Sequence, residues 1–209
     1  EADRLADAEA TVARLEAIAP LTPDRAISGP RSSCTAPTFA PTGDKLVWSC
    51  RDPREGSQIW MADGEGRDPE KILQDRGARN FAWRADGEAF VYAGLHVVNR
   101  FNTWSDLYLH TLGSKDPTPL TQGARARDPD FSPDGSRLLM VTNAVQHNQL
   151  EVLTVDRRRR VLTAQDDRVQ ISTPRYSPDG EWIAVSVWKD GRRDLWLYTA
   201  EGQPWRQLT

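Results

Sequence analysis

His96 and His147 are the side chains of this sequence best suited to hold a metal, because a neutral imidazole is a common ligand for zinc and related ions. Such a site needs a third and a fourth donor, and neither a His-Glu-x-x-His nor a Cys-x-x-Cys motif supplies them. Gly-x-Ser-x-Gly and the phosphate-binding glycine loop with its lysine do not occur either. The third histidine, His110, sits in an apolar run and reads as a strand residue. The sequence therefore points to no catalytic residue, no metal and no cofactor, and solvated loop imidazoles are the plainer reading of His96 and His147.

Arginine offers a different chemistry. Arg51, Arg54, Arg100, Arg192 and Arg193 fall in segments that read as loops, interleaved with Asp52, Glu55 and Asp190. Arg76, Arg79, Arg125, Arg127 and Arg168 alternate with Asp75, Asp128, Asp166 and Asp167 in a second set. A guanidinium fork recognises carboxylates bidentately and is enriched at interface hot spots, so this mixed but arginine-rich face suits a protein or an acidic peptide. Ordinary solvated charge is the competing reading. Phe101 and Trp104 lie in the longest of these segments, Gly94 to Ser105, whose aromatics make it the first choice for a contact region, with a cap on the blade as the alternative reading of Trp104. The run Arg157–Arg160 reads as an exposed turn, with an anionic partner as the alternative.

What must position these residues is a repeat. Ala40-Pro41-Thr42-Gly43, Arg84-Ala85-Asp86-Gly87, Ser132-Pro133-Asp134-Gly135 and Ser177-Pro178-Asp179-Gly180 each follow an aromatic residue (Phe39, Trp83, Phe131, Tyr176) and precede a strand-like run. The closing glycines lie 44, 48 and 45 residues apart. Proline presets the second turn position, and glycine takes the left-handed one that closes a hairpin. Second strands are expected at 45–50, 89–93, 137–142 and 182–187, and third strands at 58–61, 106–110, 150–155 and 194–198. Fourth strands end at Ile72-Leu73-Gln74, Leu120-Thr121, Leu162-Thr163 and Leu208-Thr209. Four strands in such a period are the signature of a propeller blade. That expectation places His96, His147 and the arginines of the second-to-third-strand loops on one end of the molecule. Trp48, Trp60, Trp182, Trp188, Trp196 and Trp205 are expected to pack between blades.

The pattern of aromatic, Ser-Pro-Asp-Gly, apolar strand, loop, Asp-Leu-Trp-Leu-Tyr and Leu-Thr resembles the WD40-like (PD40) repeat of TolB-type β-propellers, which also occurs in propeller domains attached to some peptidases. The resemblance covers about residues 21–209; the third and fourth repeats fit best. Thr42 in place of Asp, and Arg84-Ala85 in place of Ser-Pro, are departures. It implies an all-β propeller of four-stranded antiparallel blades, a periplasmic or extracellular location and a binding rather than a catalytic role. Propellers of this type usually have six blades. Four repeats, at about 21–74, 75–121, 122–163 and 164–209, thus read as a segment of a larger propeller, to be completed by missing blades or a flanking domain, with a complete four-bladed ring as the alternative.

Residues 1–20 stand outside the repeat. Leu5, Ala8, Val12, Leu15 and Ala19 recur at helical spacing before Pro20, so an amphipathic N-terminal α-helix is expected over residues 1–19. With 38% hydrophobic residues and a mean hydropathy of −0.63, the chain fits a turn-rich β protein. No apolar stretch is long enough to span a bilayer as a helix, and a net charge of −3 gives no reason to expect nucleic acid as partner.

The two cysteines follow from the hairpin register. If Ala40 faces Asp44 across the first turn, Cys34 lies opposite Cys50, within reach of a disulfide. Two unrelated buried thiols are the alternative. A bridge favours an oxidising compartment, which agrees with the resemblance. Three readings of function follow: a noncatalytic protein-interaction platform outside the cytoplasm, the accessory propeller of a larger hydrolase or peptidase, and a metal-dependent propeller lyase using His96 and His147. The first is favoured, since the residues supply binding surface and no chemistry.

Overall fold

The computed structural model describes residues 27–28, 33–100, 102–144, 147–163 and 168–209. The helix expected over 1–19, Leu21-Thr22, Phe101, Asp166 and Asp167 lie outside the described residues. The described chain forms four antiparallel four-stranded sheets, each a meander in sequence order. Blade 1 holds β1 (Ser33–Phe39), β2 (Lys45–Asp52), β3 (Gly56–Asp63) and β4 (Glu70–Gln74). Blade 2 holds β5 (Arg79–Trp83), β6 (Ala89–Asn99), β7 (Asn102–Thr111) and β8 (Thr118–Pro119). Blade 3 holds β9 (Ala126–Phe131), β10 (Arg137–Asn143), β11 (Asn148–Thr154) and β12 (Arg159–Val161). Blade 4 holds β13 (Val169–Tyr176), β14 (Trp182–Lys189), β15 (Arg192–Thr199) and β16 (Pro204–Gln207).

The signature turns close as their residues require. In each, the glycine N–H donates to the carbonyl of the first turn residue, as Gly135 does to Ser132 at 2.8 Å, and the glycine φ lies between 69° and 76°. The aspartates of the later three turns accept the backbone N–H two residues on, at 2.9–3.1 Å.

The first strand of every blade carries the same β-bulge, three residues before the aromatic. Ala36, Asn80, Asp128 and Thr173 adopt φ of 57°, 54°, 52° and 47°, and the register to the second strand slips by one residue there. This bulge corrects the route to the cysteine pairing. Ala40 bonds to Lys45 rather than facing Asp44, so near the turn Phe39 pairs with Leu46. The extra residue at Ala36 then brings Cys34 opposite Cys50, and the disulfide forms between them.

The Leu-Thr pairs lie just past the fourth strands instead of ending them. Leu120, Leu162 and Leu208 donate their N–H to the carbonyls of Leu107, Leu150 and Leu195, at 2.7–2.8 Å. Thr121, Thr163 and Thr209 accept the N–H of those same leucines through Oγ1, at 2.9–3.1 Å. Each Leu-Thr thus satisfies both polar groups of one third-strand residue where the ladder runs out.

The core lies between blades. Val47 and Ile59 of blade 1 meet Phe81, Trp83, Phe90 and Tyr92 of blade 2. Val91, Ala93 and Leu107 meet Leu138, Met140 and Leu153. Leu139, Val141, Leu150 and Val152 meet Ile171, Ile183, Val185 and Tyr198. Neighbouring blades touch through β1, β5, β9 and β13 in order, while β1 and β13 do not meet, so the four described blades form an open arc. Its two ends differ. On blade 1, Leu46, Trp48, Cys50 and Ala62 face away from blade 2 and are nonetheless buried, with Ile27 packed on them. On blade 4, the outward Trp188, Leu195 and Leu208 are exposed, and Trp205, which packs against Trp182, is exposed too.

Candidate functional site

The loops between second and third strands and the connections between blades share one end of the arc. Arg51 and Arg54 occupy the β2–β3 turn region, Arg100 the β6–β7 turn, and Arg192 and Arg193 the start of β15; all five are exposed. The segment Gly94 to Ser105 is not a loop. It is a ladder that carries β6 and β7 beyond the level at which the other blades turn, through Leu95↔Ser105, His96↔Trp104, Val97↔Thr103 and Asn99↔Asn102. Val97 and Val98 stand exposed near its tip, and His96 is half-buried below them.

Trp104 caps the blade. Its ring lies against Gly123 and under the guanidinium of Arg125, 4.4 Å from the ring centre, so a cation–π contact fixes it on the connection between blades 2 and 3. Beneath it, the fully buried Asp106 accepts bonds from Thr121 Oγ1 (2.8 Å), Gly123 N (2.8 Å) and Ala124 N (3.0 Å). A buried carboxylate is tolerated here because three donors replace its water. The corresponding connection at blade 1 has another device. Tyr92 donates its hydroxyl to Asp75 at 2.5 Å, and burial raises the pKa of both groups. Gly94 leaves no room for a side chain, since a Cβ would come within 3.1 Å of Asp75 and Tyr108. The sequence reading missed these staples, although the spacing from Asp106 to Thr121 recurs from Asp194 to Thr209 and was available as a signal.

His147 lies in the corresponding region of blade 3, beside a cleft shared with Arg127, Asn143, Asn148 and Val169. Asn148 is committed to the next blade: its amide donates to the carbonyl of Ile171 at 2.9 Å and accepts that residue's N–H at 2.7 Å. Arg127 is committed as well, to Asp128 at 2.6 Å and to the Ile171 carbonyl at 3.2 Å. Among the described residues, no group of three His, Cys, Asp or Glu side chains is arranged to hold a metal ion. His110 is buried against Phe90, and burial pushes its pKa down.

Inner-strand carboxylates tie blade 3 to blade 4. The Thr173 N–H donates to Asp128 at 3.1 Å, and the Tyr176 N–H donates to Asp130 at 2.7 Å. Burial lifts the Asp130 pKa to about 6, a rise that the Tyr176 bond and the nearby Arg175 only partly offset. The Arg157–Arg160 run divides by strand. Arg158 pairs with Asp156 at 2.7 Å, whereas Arg159 makes two bonds to the buried Glu151, at 2.8 and 2.7 Å. Burial raises the pKa of Glu151, but bonds from Thr142, Gln149 and Arg159 outweigh that effect and hold it below the usual range.

An open arc of four-stranded antiparallel meanders, joined side by side through bulged inner strands, defines the chain as an all-β propeller. Its blades are TolB-like. The chain superposes on a putative TolB from Agrobacterium tumefaciens with a TM-score of 0.76 and 21% identity, over 87% of this chain and 67% of that one. For TolB from Acinetobacter baumannii the TM-score is 0.73 at 16% identity, over 88% of this chain and 45% of that one. A structure from work on two prolyl endopeptidases matches less closely, with a TM-score of 0.58 at 14% identity, over 86% and 35%. At these identities the likeness is one of fold, and the chain spans about two thirds of the first of these relatives and less than half of the other two. No family model and no curated protein matches the sequence.

Proposed function

We propose that this chain is a noncatalytic protein-interaction platform that works outside the cytoplasm and takes its partner on the loop end of the arc. The observation that carries this reading is the β6–β7 hairpin, which projects past its neighbours and exposes Val97 and Val98 beside Arg100. An apolar tip with arginines around it offers an anchor and carboxylate recognition together, as an acidic peptide or protein surface requires. The Cys34–Cys50 bridge supports the location, since such bonds persist in oxidising compartments. A photo-crosslinking residue at position 98, introduced in the native cell, should give an adduct of reproducible mass. Adding Val97→Asp and Arg100→Glu should remove it, and an adduct indifferent to both changes would count against the reading.

A second reading, an accessory propeller within a larger hydrolase, is favoured by the exposed outward face of blade 4. It requires that face to be covered by a further blade or domain, and native mass of the naturally produced protein tests it. Recovery of this chain only as part of a larger polypeptide with hydrolase activity would favour the accessory role.

A further inference from the structure

The β6–β7 hairpin leaves one backbone edge open. Leu107 turns both of its polar groups away from β6: its carbonyl accepts the Leu120 N–H at 2.8 Å, and its N–H donates to Thr121 Oγ1 at 2.9 Å. Strand residues alternate, so Ser105 and Thr103 present their N–H and carbonyl groups along that same outer edge. Leu95, opposite Ser105, has the matching phase, because its N–H donates to the Arg76 carbonyl at 2.7 Å and not across the hairpin. β8 pairs only with Tyr108 and Leu109, and the outward groups of Thr103 and Ser105 have no partner among the described residues. Thr103 is exposed and Ser105 is half-buried.

Blade 1 shows what fits such an edge. Its fourth strand, β4, runs for 5 residues where β8 has 2, and the next residue, Asp75, donates its N–H to the carbonyl of Ser57 at 3.2 Å. Ser57 is the counterpart of Ser105, and the equivalent bond from Gln122 is not made. In blade 2 the chain leaves the edge after Thr121, since Gly123 and Ala124 donate to Asp106 instead. An extended backbone thus occupies in blade 1 the place that stands open in blade 2. The opposite edge, on β6, offers less, because Arg76 already consumes the Leu95 N–H.

Charge narrows the occupant. Residues 94–105 and 121–127 carry Arg100, Arg125 and Arg127 and no Asp or Glu. Arg125 lies over Trp104, the residue between the two vacant ones. Pairing this edge with its own copy would bring like charges together, whereas an acidic segment meets cations.

We propose that an extended acidic segment of the partner's chain adds to the β7 edge as a further strand, bonded through Thr103 and Ser105. The inference rests on the reading that the hairpin takes the partner, and it specifies how. Main-chain hydrogen bonds supply the affinity, and the arginines select acidic side chains.

Amide exchange followed by nuclear magnetic resonance tests this, with acetyl-Val-Glu-Val-Thr-Val-Glu-amide as the probe. The peptide should saturate below about 1 mM and slow exchange at Thr103 and Ser105 about tenfold or more, with Val97 unchanged. The same peptide N-methylated at every residue keeps its side chains but cannot donate to a ladder, and it should bind about tenfold or more weakly. Thr103→Pro removes an outward N–H that makes no bond within the hairpin, so it should preserve the melting temperature and weaken the peptide about tenfold, whereas Thr103→Val should not weaken it. In the native cell, Thr103→Pro should also remove the adduct formed from position 98, and Thr103→Val should keep it.

Equal binding of the N-methylated peptide overturns the proposal, as does protection at Val97 in place of Thr103 and Ser105. So does failure of the acidic peptide to saturate below about 1 mM. Protection that rises with protein concentration alone would assign the edge to a second copy of this chain and overturn it too. An adduct that survives Thr103→Pro but is lost with Val97→Asp and Arg100→Glu would overturn strand addition while leaving the hairpin as the partner's surface.

Discussion

Asp130 shows how a single carboxyl can store instability in a well-ordered strand. Its pKa is about 6 in the fold against 3.8 unfolded, chiefly because burial disfavours the charge. A native pKa above the unfolded one means that the folded state binds a proton more tightly between about pH 4 and pH 6. This group therefore stabilises the fold increasingly as pH falls through 6 toward 4, and weighs against it above that window. Asp130→Asn keeps an oxygen for the Tyr176 N–H and removes the charge. The variant should be more stable than the parent at pH 7, on the order of 2 kcal/mol, and the two should converge near pH 4. Urea denaturation at both pH values checks this, and a pH-independent difference would refute it. Asp106, which is more deeply buried, has three donors aimed at it.

At the scale of the strand, the bulge is the device that recurs. One extra residue in each inner strand bends it and turns side chains such as Asp128 toward the next blade. In blade 1 it also decides which residues oppose each other, and with them the disulfide. The bridge closes a segment with a sequence separation of 16, for which constraint of the unfolded chain predicts about 3 kcal/mol. Cys34→Ser with Cys50→Ser should lower the melting temperature by roughly 5–10 °C, and reductant should do the same to the parent but not to the variant. Differential scanning calorimetry with and without reductant reads both. The Leu-Thr pair was visible in the sequence as the mark of a strand end. Its role as a two-bond closure was not, because that depends on where the fourth strand leaves the ladder.

At the scale of the molecule, the arc is finished unevenly. Leu195 of blade 4 is 47% exposed, whereas its counterparts Leu107 and Leu150 are fully buried against a following blade. The same chemical change should therefore have opposite severity in the two places. Leu195→Lys should alter the stability of this 209-residue chain by less than about 1 kcal/mol, while Leu150→Lys should prevent folding by burying an unpaired charge. Equilibrium unfolding monitored by circular dichroism separates them, and a large loss in Leu195→Lys would show that the outward face is covered. Of the six tryptophans expected to pack between blades, Trp196 does, against the cluster of blades 3 and 4; Trp48 and Trp60 lie on the outward face of blade 1, and Trp182, Trp188 and Trp205 lie on blade 4 where no described blade follows.

The blade pattern was legible because turns are local: proline, aspartate and glycine impose their dihedrals within four residues, and the strands between them alternate by rule. Four such turns in phase determine four meanders, but the turn register alone would miss the cysteine pairing by one residue, and the bulge at Ala36 restores it. The site was less legible, because it depends on groups distant in the chain. Trp104 could be read as a contact residue or as a cap on the blade until the fold set Arg125 and Gly123 on its ring. The Arg157–Arg160 run could be read as one patch until β12 turned Arg159 onto Glu151 and left Arg157 over a cleft between blades. Local sequence dictates which turns form and which residues alternate. Only the packing of one blade on the next decides which charges are consumed by structure and which remain free to meet a partner.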